Sequence, residues 1–160
     1  MSSAVKFERE VVLTHFYAAP RELVFSAWTE ARHLKNWWGP KMFSNPVCEV
    51  DPRVGGIMRI VMQGPDGSQY PMTATFTEMA PPERLAFTAQ AENAEGGNHL
   101  ETVTEVSFEE EGTGTKLTLR TRGYGFTAAS EFMLQGMEAG WSQSLVKLEE
   151  LAATFFAAVN

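Results

Sequence analysis

The chain has one cysteine, Cys48, no run of basic residues, no long apolar run and no internal repeat. Each absence removes a class of protein. A lone thiol excludes an internal disulfide and suits a reducing cytosol, so a cytoplasmic location is expected. A net charge of −7, with Lys and Arg dispersed, argues against nucleic acid and against anionic membrane surfaces, both of which select basic patches. No apolar stretch approaches the roughly 18–20 residues of a spanning helix, and Met1-Ser2-Ser3-Ala4-Val5-Lys6 lacks the apolar segment of a secretory signal. His15, His33 and His99 are isolated, without the spacings of a zinc site, so no metal and no cofactor are expected. Gly55-Gly56 precedes a strand pattern rather than a helix, which removes a phosphate loop. No nucleophile elbow surrounds any serine. Cys48 has no basic neighbour in sequence and reads as a buried small hydrophobe. The remaining class is an ordinary globular chain, 160 residues and 44% hydrophobic, sized for one domain spanning 1–160.

The strongest pattern present lies at the C-terminal end, from Thr127 to Val159. On a period of 3.6, Leu134, Met137, Trp141, Leu145, Leu148, Leu151, Ala152, Phe155 and Val159 fall on one side. Gln143, Lys147 and Glu150 fall on the other. Thr127 is a candidate N-cap, Glu131 puts a negative charge in the first turn, and no proline interrupts the run. The spacing predicts one long amphipathic helix. Its apolar stripe needs a matching surface, at about 1.5–3 kcal/mol per large side chain buried.

Upstream, Lys6 to Tyr17 reads as a strand rich in β-branched and aromatic residues. Pro20 to Trp28 and Glu30 to Trp37 read as two short helices forming a corner, ended by Gly39-Pro40. Six strands follow at close intervals: Val47 to Asp51, Ile57 to Gln63, Gln69 to Met79, Leu85 to Ala91, His99 to Glu109 and Thr115 to Arg122. Turns are expected at Gly64-Pro65-Asp66-Gly67, Pro81-Pro82, Gly96-Gly97-Asn98 and Gly112-Thr113-Gly114. Such short connections make antiparallel neighbours, hence a meander.

Alternation assigns the faces of the last hairpin. Leu100, Thr102, Thr104, Val106 and Phe108 turn inward with Leu117, Leu119 and Thr121, while Glu101, Glu105, Lys116, Arg120 and Arg122 turn outward. Glu101 and Glu105 therefore read as a solvated face rather than an acid–base pair. Met58, Ile60, Met62, Met72, Ala74 and Phe76 are placed inside on the same pattern. The inward threonines either bond to neighbouring strands or waters, or line a roomy interior that receives a ligand. Adjacent Trp37 and Trp38 point about 100° apart on a helix, so at most one faces such an interior. Gly140, beside Trp141, predicts a close approach or a bend.

These residues in this order resemble the START/Bet v 1-like superfamily (SRPBCC), in the branch similar to the C-terminal domain of the activator of Hsp90 ATPase. The resemblance runs nearly end to end. It is carried by Ala19-Pro20-Arg21-Glu22-Leu23-Val24-Phe25 with Ala27-Trp28-Thr29, by His33-Leu34, by Trp37-Trp38-Gly39-Pro40 and by Val50-Asp51-Pro52-Arg53 with Gly55-Gly56. Gly64-Pro65-Asp66-Gly67, Pro81-Pro82-Glu83-Arg84-Leu85 and Gly140-Trp141 with Ser144-Leu145 and Leu148 complete it. It implies an α+β helix-grip fold: a curved seven-stranded antiparallel sheet wrapped around a long C-terminal helix, with two short helices between strands 1 and 2. It also implies an apolar cavity between sheet and helix; superfamily members bind lipids, sterols, polyketides and other apolar molecules, and a few are enzymes. Family members often carry arginine where this chain has His15, and an acidic or amide residue where it has Ala18.

The candidate ligand-binding residues are His15 on the first strand and Trp37 and Trp38 at the corner. On the sheet they are Met58, Ile60, Met72, Phe76, Phe87, Thr102, Thr104, Leu119 and Thr121, and on the helix Met137, Trp141 and Leu145. No catalytic residue is assigned. The first expectation is binding of a small hydrophobic or amphipathic molecule. The second is an interaction protein for an Hsp90-type chaperone, though the N-terminal domain that makes much of that contact in the eukaryotic activator has no counterpart here. A cyclase-like enzyme using the same cavity comes third, and a homodimer is left open.

Overall fold

The computed structural model describes residues 5–92 and 98–159, with side chains for 5–91 and 99–154. Its elements are β1 (Phe7–Tyr17), α1 (Arg21–Thr29), α2 (Ala31–Leu34), β2 (Ser44–Val50), β3 (Ile57–Gln63), β4 (Gln69–Ala80), β5 (Arg84–Glu92), β6 (Asn98–Glu111), β7 (Gly114–Gly125), α3 (Ala128–Gln135) and α4 (Met137–Val159). The seven strands form one antiparallel sheet in the order β1-β7-β6-β5-β4-β3-β2. This is the expected α+β helix-grip architecture. Gly96 and Gly97 of the turn expected before Asn98, and the side chains of Phe155 and Val159, lie outside the described residues.

Alternation does set the faces. Leu117, Leu119 and Thr121 of β7 are fully buried while Lys116, Arg120 and Arg122 are exposed. Met58, Ile60, Ala74 and Phe76 are buried in the same layer. The first strand closes against the last, from Phe7 opposite Gly125 to Tyr17 opposite Thr115. That pairing leaves β1 and β2 at opposite edges, and the α1–α2 corner carries the chain from one to the other. Register shifts between Phe76 and Glu78 and between Ser44 and Val47 mark bulges, which bend strands and increase twist. The outer face carries a ladder of exposed charges, such as Arg84 between Glu78 (2.7 Å) and Glu105 (3.3 Å) and Arg122 with Glu10 (2.6 Å). Exposed pairs of this kind stabilise little.

The helices differ from the sequence reading in three ways. First, the corner's second helix is one turn long, Ala31–Leu34, because the Leu34 carbonyl accepts both the Trp37 amide (3.3 Å) and the Trp38 amide (3.1 Å). That tight final turn ends the helix where the tryptophans diverge. Second, the long C-terminal run is two helices, divided at Gly136 rather than at Gly140. The Arg9 guanidinium donates to the Leu134 and Gln135 carbonyls, each at 2.9 Å, the acceptors that a continuous helix would offer to the amides of Glu138 and Ala139. Third, Gln143 and Lys147 do not simply face water. Gln143 accepts from the Lys41 amide at 3.0 Å, and the Lys147 ammonium donates to the carbonyls of Gly39 (3.2 Å), Pro40 (3.4 Å) and Trp38 (3.5 Å). They fasten α4 to the corner.

The apolar stripe packs as its spacing requires, with Leu145, Leu148 and Ala152 at most 2% exposed. They join the main core between the sheet, α1 and α4. Leu134 and Met137 form a smaller cluster with Val11.

Candidate functional site

Four tryptophans meet where α1, the corner and α4 converge. Trp28 is 2% exposed and stacks on Trp141, with ring centroids 5.9 Å apart and planes 17° from parallel. Trp37 is fully buried against Trp28, and its indole N–H donates to the Ala27 carbonyl at 2.9 Å. Trp38 turns the other way, edge-on to Trp141 at 5.2 Å and near Phe87 at 6.1 Å. The adjacent pair is thus divided in the turn after α2: Trp37 lies wholly within the core, and Trp38, also buried, borders the far side of the cluster.

On that far side lies a cavity of about 500 Å³. Its sheet wall is Met62, Met72, Phe87, Ala89, Leu100 and Thr102, and its helix wall is Met133, Met137, Gly140, Trp141 and Ser144. Buried Phe87, Ala89 and Ser144 mark the inner end. Phe132, 82% exposed, and Tyr70, 44% exposed, mark the opening. The space exists because small residues oppose each other: Ala89 and Ala91 on the sheet, Gly136 and Gly140 on the helices.

Six of the sequence candidates come together in this lining: Trp38, Met72, Phe87, Thr102, Met137 and Trp141. Trp37, Met58, Ile60, Phe76, Leu119 and Leu145 lie instead in the close-packed core beneath it. The Thr104 and Thr121 hydroxyls bond to each other at 2.8 Å, fully buried, so these two threonines satisfy each other across strands. Only Thr102 of the three faces open space. His15, on β1, lies beside a later turn of α4, its ring 3.4 Å from the Glu149 carboxylate and 4.7 Å from the Tyr17 ring, and is not among the residues that line the cavity. Tyr17 itself donates its hydroxyl to the Leu145 carbonyl at 3.0 Å, and burial pushes its phenol far above the usual range.

The lining residues that sequence reasoning missed include some that supply emptiness or sit on connections, Ala89, Ala91, Gly136, Pro40 and Phe43, and some large ones on strands and helices, Met62, Tyr70, Leu100 and Met133. One signal was present. Phe87, Ala89 and Ala91 alternate on one inward face of β5, and Gly136 and Gly140 fall four apart on the inner helical stripe.

The polar inventory is short. None of the described lining residues is charged. Ser144 Oγ donates to the Gly140 carbonyl at 3.0 Å, while the Thr102 hydroxyl has no hydrogen-bond partner among the described residues. His99 pairs through Nδ1 with Thr127 Oγ at 2.8 Å, and no three His, Cys, Asp or Glu side chains gather among the described residues. No described helix is long and apolar enough to cross a membrane.

Cys48 is half-buried, and burial pushes its thiol up to about 11, outweighing the lowering effect of Lys35. The fold does bring a basic residue near it, but desolvation dominates. At pH 8 its thiolate population should be about a hundredfold below that of an ordinary thiol of pKa 9.0. Iodoacetamide should therefore label the native protein at least about tenfold more slowly than the urea-unfolded chain, since the higher nucleophilicity of a high-pKa thiolate offsets part of the lost population. Comparable rates in the two states would contradict this burial.

Comparison with known proteins gives consistent results. The model for activator of Hsp90 ATPase homolog 1-like protein (AHSA1) matches residues 18–153. A solved structure from Nitrosomonas europaea is 27% identical, covering 92% of this chain and 96% of its own, with a TM-score of 0.74. One from Chromobacterium violaceum is 25% identical over 89% and 96%, with a TM-score of 0.77. An AHSA1 protein of Silicibacter pomeroyi shares the fold at 24% identity, over 91% and 99%, with a TM-score of 0.78. No curated protein matches the chain. With about five-sixths of its length matched by the family model, the chain belongs to the activator of Hsp90 ATPase homolog 1-like family.

Proposed function

We infer that this protein binds a small hydrophobic or amphipathic molecule in the cavity between sheet and helices. The observation that carries the reading is the cavity itself. At about 500 Å³ it falls within the roughly 300–1,000 Å³ usual for small-molecule sites, and apolar, aromatic and thioether groups dominate its walls. Methionines at 62, 72, 133 and 137 line it from both sides and can adapt to varied apolar shapes. The lining hydroxyls offer a few points at which a ligand's polar end can be oriented. Action on an Hsp90-type chaperone is the second reading, and it rests on the family description alone.

Native mass spectrometry and thermal shift against a library of fatty alcohols, sterols and polycyclic aromatics test this directly. At 100 times its Kd a ligand adds about 2.7 kcal/mol, roughly 5–10 °C in Tm for a chain this size. Ala89→Phe should fill the cavity and remove the shift while leaving the ligand-free Tm near that of the parent. A library without hits, together with stimulation of an Hsp90-type ATPase at micromolar concentration, would replace this reading with the second.

A further inference from the structure

The binding reading can be taken one step further, to the chemistry of the ligand. We propose that the cavity selects an uncharged, flat aromatic or polycyclic molecule, turns away carboxylates, and anchors the ligand's polar group on Thr102. The proposal rests on the binding reading above.

Three observations support it. The described lining holds no Lys, Arg or His that could neutralise an anion, and no Asp or Glu that could take a cation. Lys147 is close to the corner but is committed elsewhere, to the backbone carbonyls of Trp38, Gly39 and Pro40. Burial also pushes that ammonium below the usual lysine range. An ionised carboxylate placed inside would lose its water and gain no counter-charge, which apolar sites do not tolerate.

Next, rings that touch one another also border the open space, together with methionine sulfurs. Trp38, Phe87 and Trp141 present aromatic surface at the inner end, and Phe43 and Tyr70, 5.9 Å apart, present it nearer the opening. Aromatic edges and faces, with thioethers between them, favour a flat π-system over a flexible alkyl chain.

Finally, the hydroxyls are unequal. Ser144 spends its proton on Gly140, and Tyr70 is at the half-exposed opening. Thr102 sits on β6 opposite Ala89 and lines the cavity, and its hydroxyl has no hydrogen-bond partner among the described residues. A ligand carbonyl, amide or hydroxyl would supply that partner. Thr104 and Thr121, already bonded to each other, cannot play this part.

The test uses the intact protein and three probes of one shape: anthracene-2-carboxamide, anthracene-2-carboxylate and 2-methylanthracene, each followed by its own fluorescence at pH 7.5. The carboxamide should bind at least about tenfold more tightly than the carboxylate, because only the latter carries an unpaired charge inside. Thr102→Val keeps the shape and removes the hydroxyl. It should weaken the carboxamide about threefold to tenfold and leave 2-methylanthracene unchanged. Equal or tighter binding of the carboxylate overturns the selection for neutral ligands while leaving the cavity a binding site. Equal effects of Thr102→Val on all three probes overturn the anchor. Failure of all three probes, together with no hit in the wider library, removes the binding reading itself.

Discussion

Trp28→Ala is expected to lower the unfolding free energy by about 3–5 kcal/mol, the usual loss for truncating a buried large aromatic. Trp28 is the hub of the aromatic cluster. Its ring lies 4.6 Å from Trp37, 5.9 Å from Trp141, 6.3 Å from Phe108 and 6.5 Å from Trp38. Those partners come from the corner, from α4 and from β6, so the side chain joins both layers of the fold. They cannot all move in to fill the space it leaves. With total stabilities near 5–15 kcal/mol for domains, one such change approaches the whole margin. Trp28→Phe should cost less, about 1–2 kcal/mol, because it keeps much of the ring and discards a buried indole N–H without an acceptor among the described residues. Glu150→Ala, on the exposed side of α4, should stay within about 0.5 kcal/mol. Urea denaturation separates these values, with the midpoint moving and the slope held. A Trp28→Ala loss no larger than that of Glu150→Ala would show that the cluster is not the stability centre. Trp141, half-buried against the cavity, should lose less stability than Trp28 when truncated.

Gly125→Val is expected to lift α3 off the sheet. The backbone at Gly125 suits any residue, so the conflict is one of space. A Cβ there would collide with Ser130 Oγ and lie 2.8 Å from Ser130 Cβ, an atom fixed to the helix itself. At the neighbouring inward position, Gly123, a Cβ would collide with Leu134 and lie 3.3 Å from the Met137 sulfur. The two glycines let α3 settle directly on β7, and Arg9 then holds its last carbonyls. Overpacking usually costs about 1–3 kcal/mol, and the upper end is expected because a whole helix must move. Since α3 carries Phe132 and Met133, the affinity for an apolar ligand should fall at least about tenfold. Amide hydrogen exchange across α3 should quicken in the variant, while β3 and β4 keep their protection. Unchanged exchange and unchanged affinity would mean that the helix tolerates the added bulk.

Local pattern made much of the fold legible. Turn signals flanking an alternating run delimit Ile57–Gln63 to the residue. β1 and α1 came within a residue or so, since Pro20 suits a helix start and cannot extend a strand ladder. The break at Gly136 was not legible, because the group that satisfies the parted carbonyls is Arg9, which approaches from 125 residues away in the chain. The cavity was legible only in half. Met72, Phe87, Thr102, Met137 and Trp141 are large or polar residues on inward faces, which periodicity identifies, whereas it leaves open which of Trp37 and Trp38 turns to the cavity. Ala89, Ala91 and Gly136 contribute by what they lack, and a small residue in a sequence does not announce what stands opposite it.

The sequence by itself determined the seven alternating strands, the apolar stripe of the final helices and the family to which they belong. These depend on period and turn chemistry, both of which are local. Tertiary structure alone decided which inward residues border open space and which are packed shut. Thr102, Thr104 and Thr121 share one face and one chemistry, yet two bond to each other and the third lines the cavity. Lys147 likewise has a solvent-side position by helical period, but the corner folds back to place three carbonyls within its reach. Whether a side chain finds a partner or a space depends on distances between segments far apart in the chain, and no single segment encodes them.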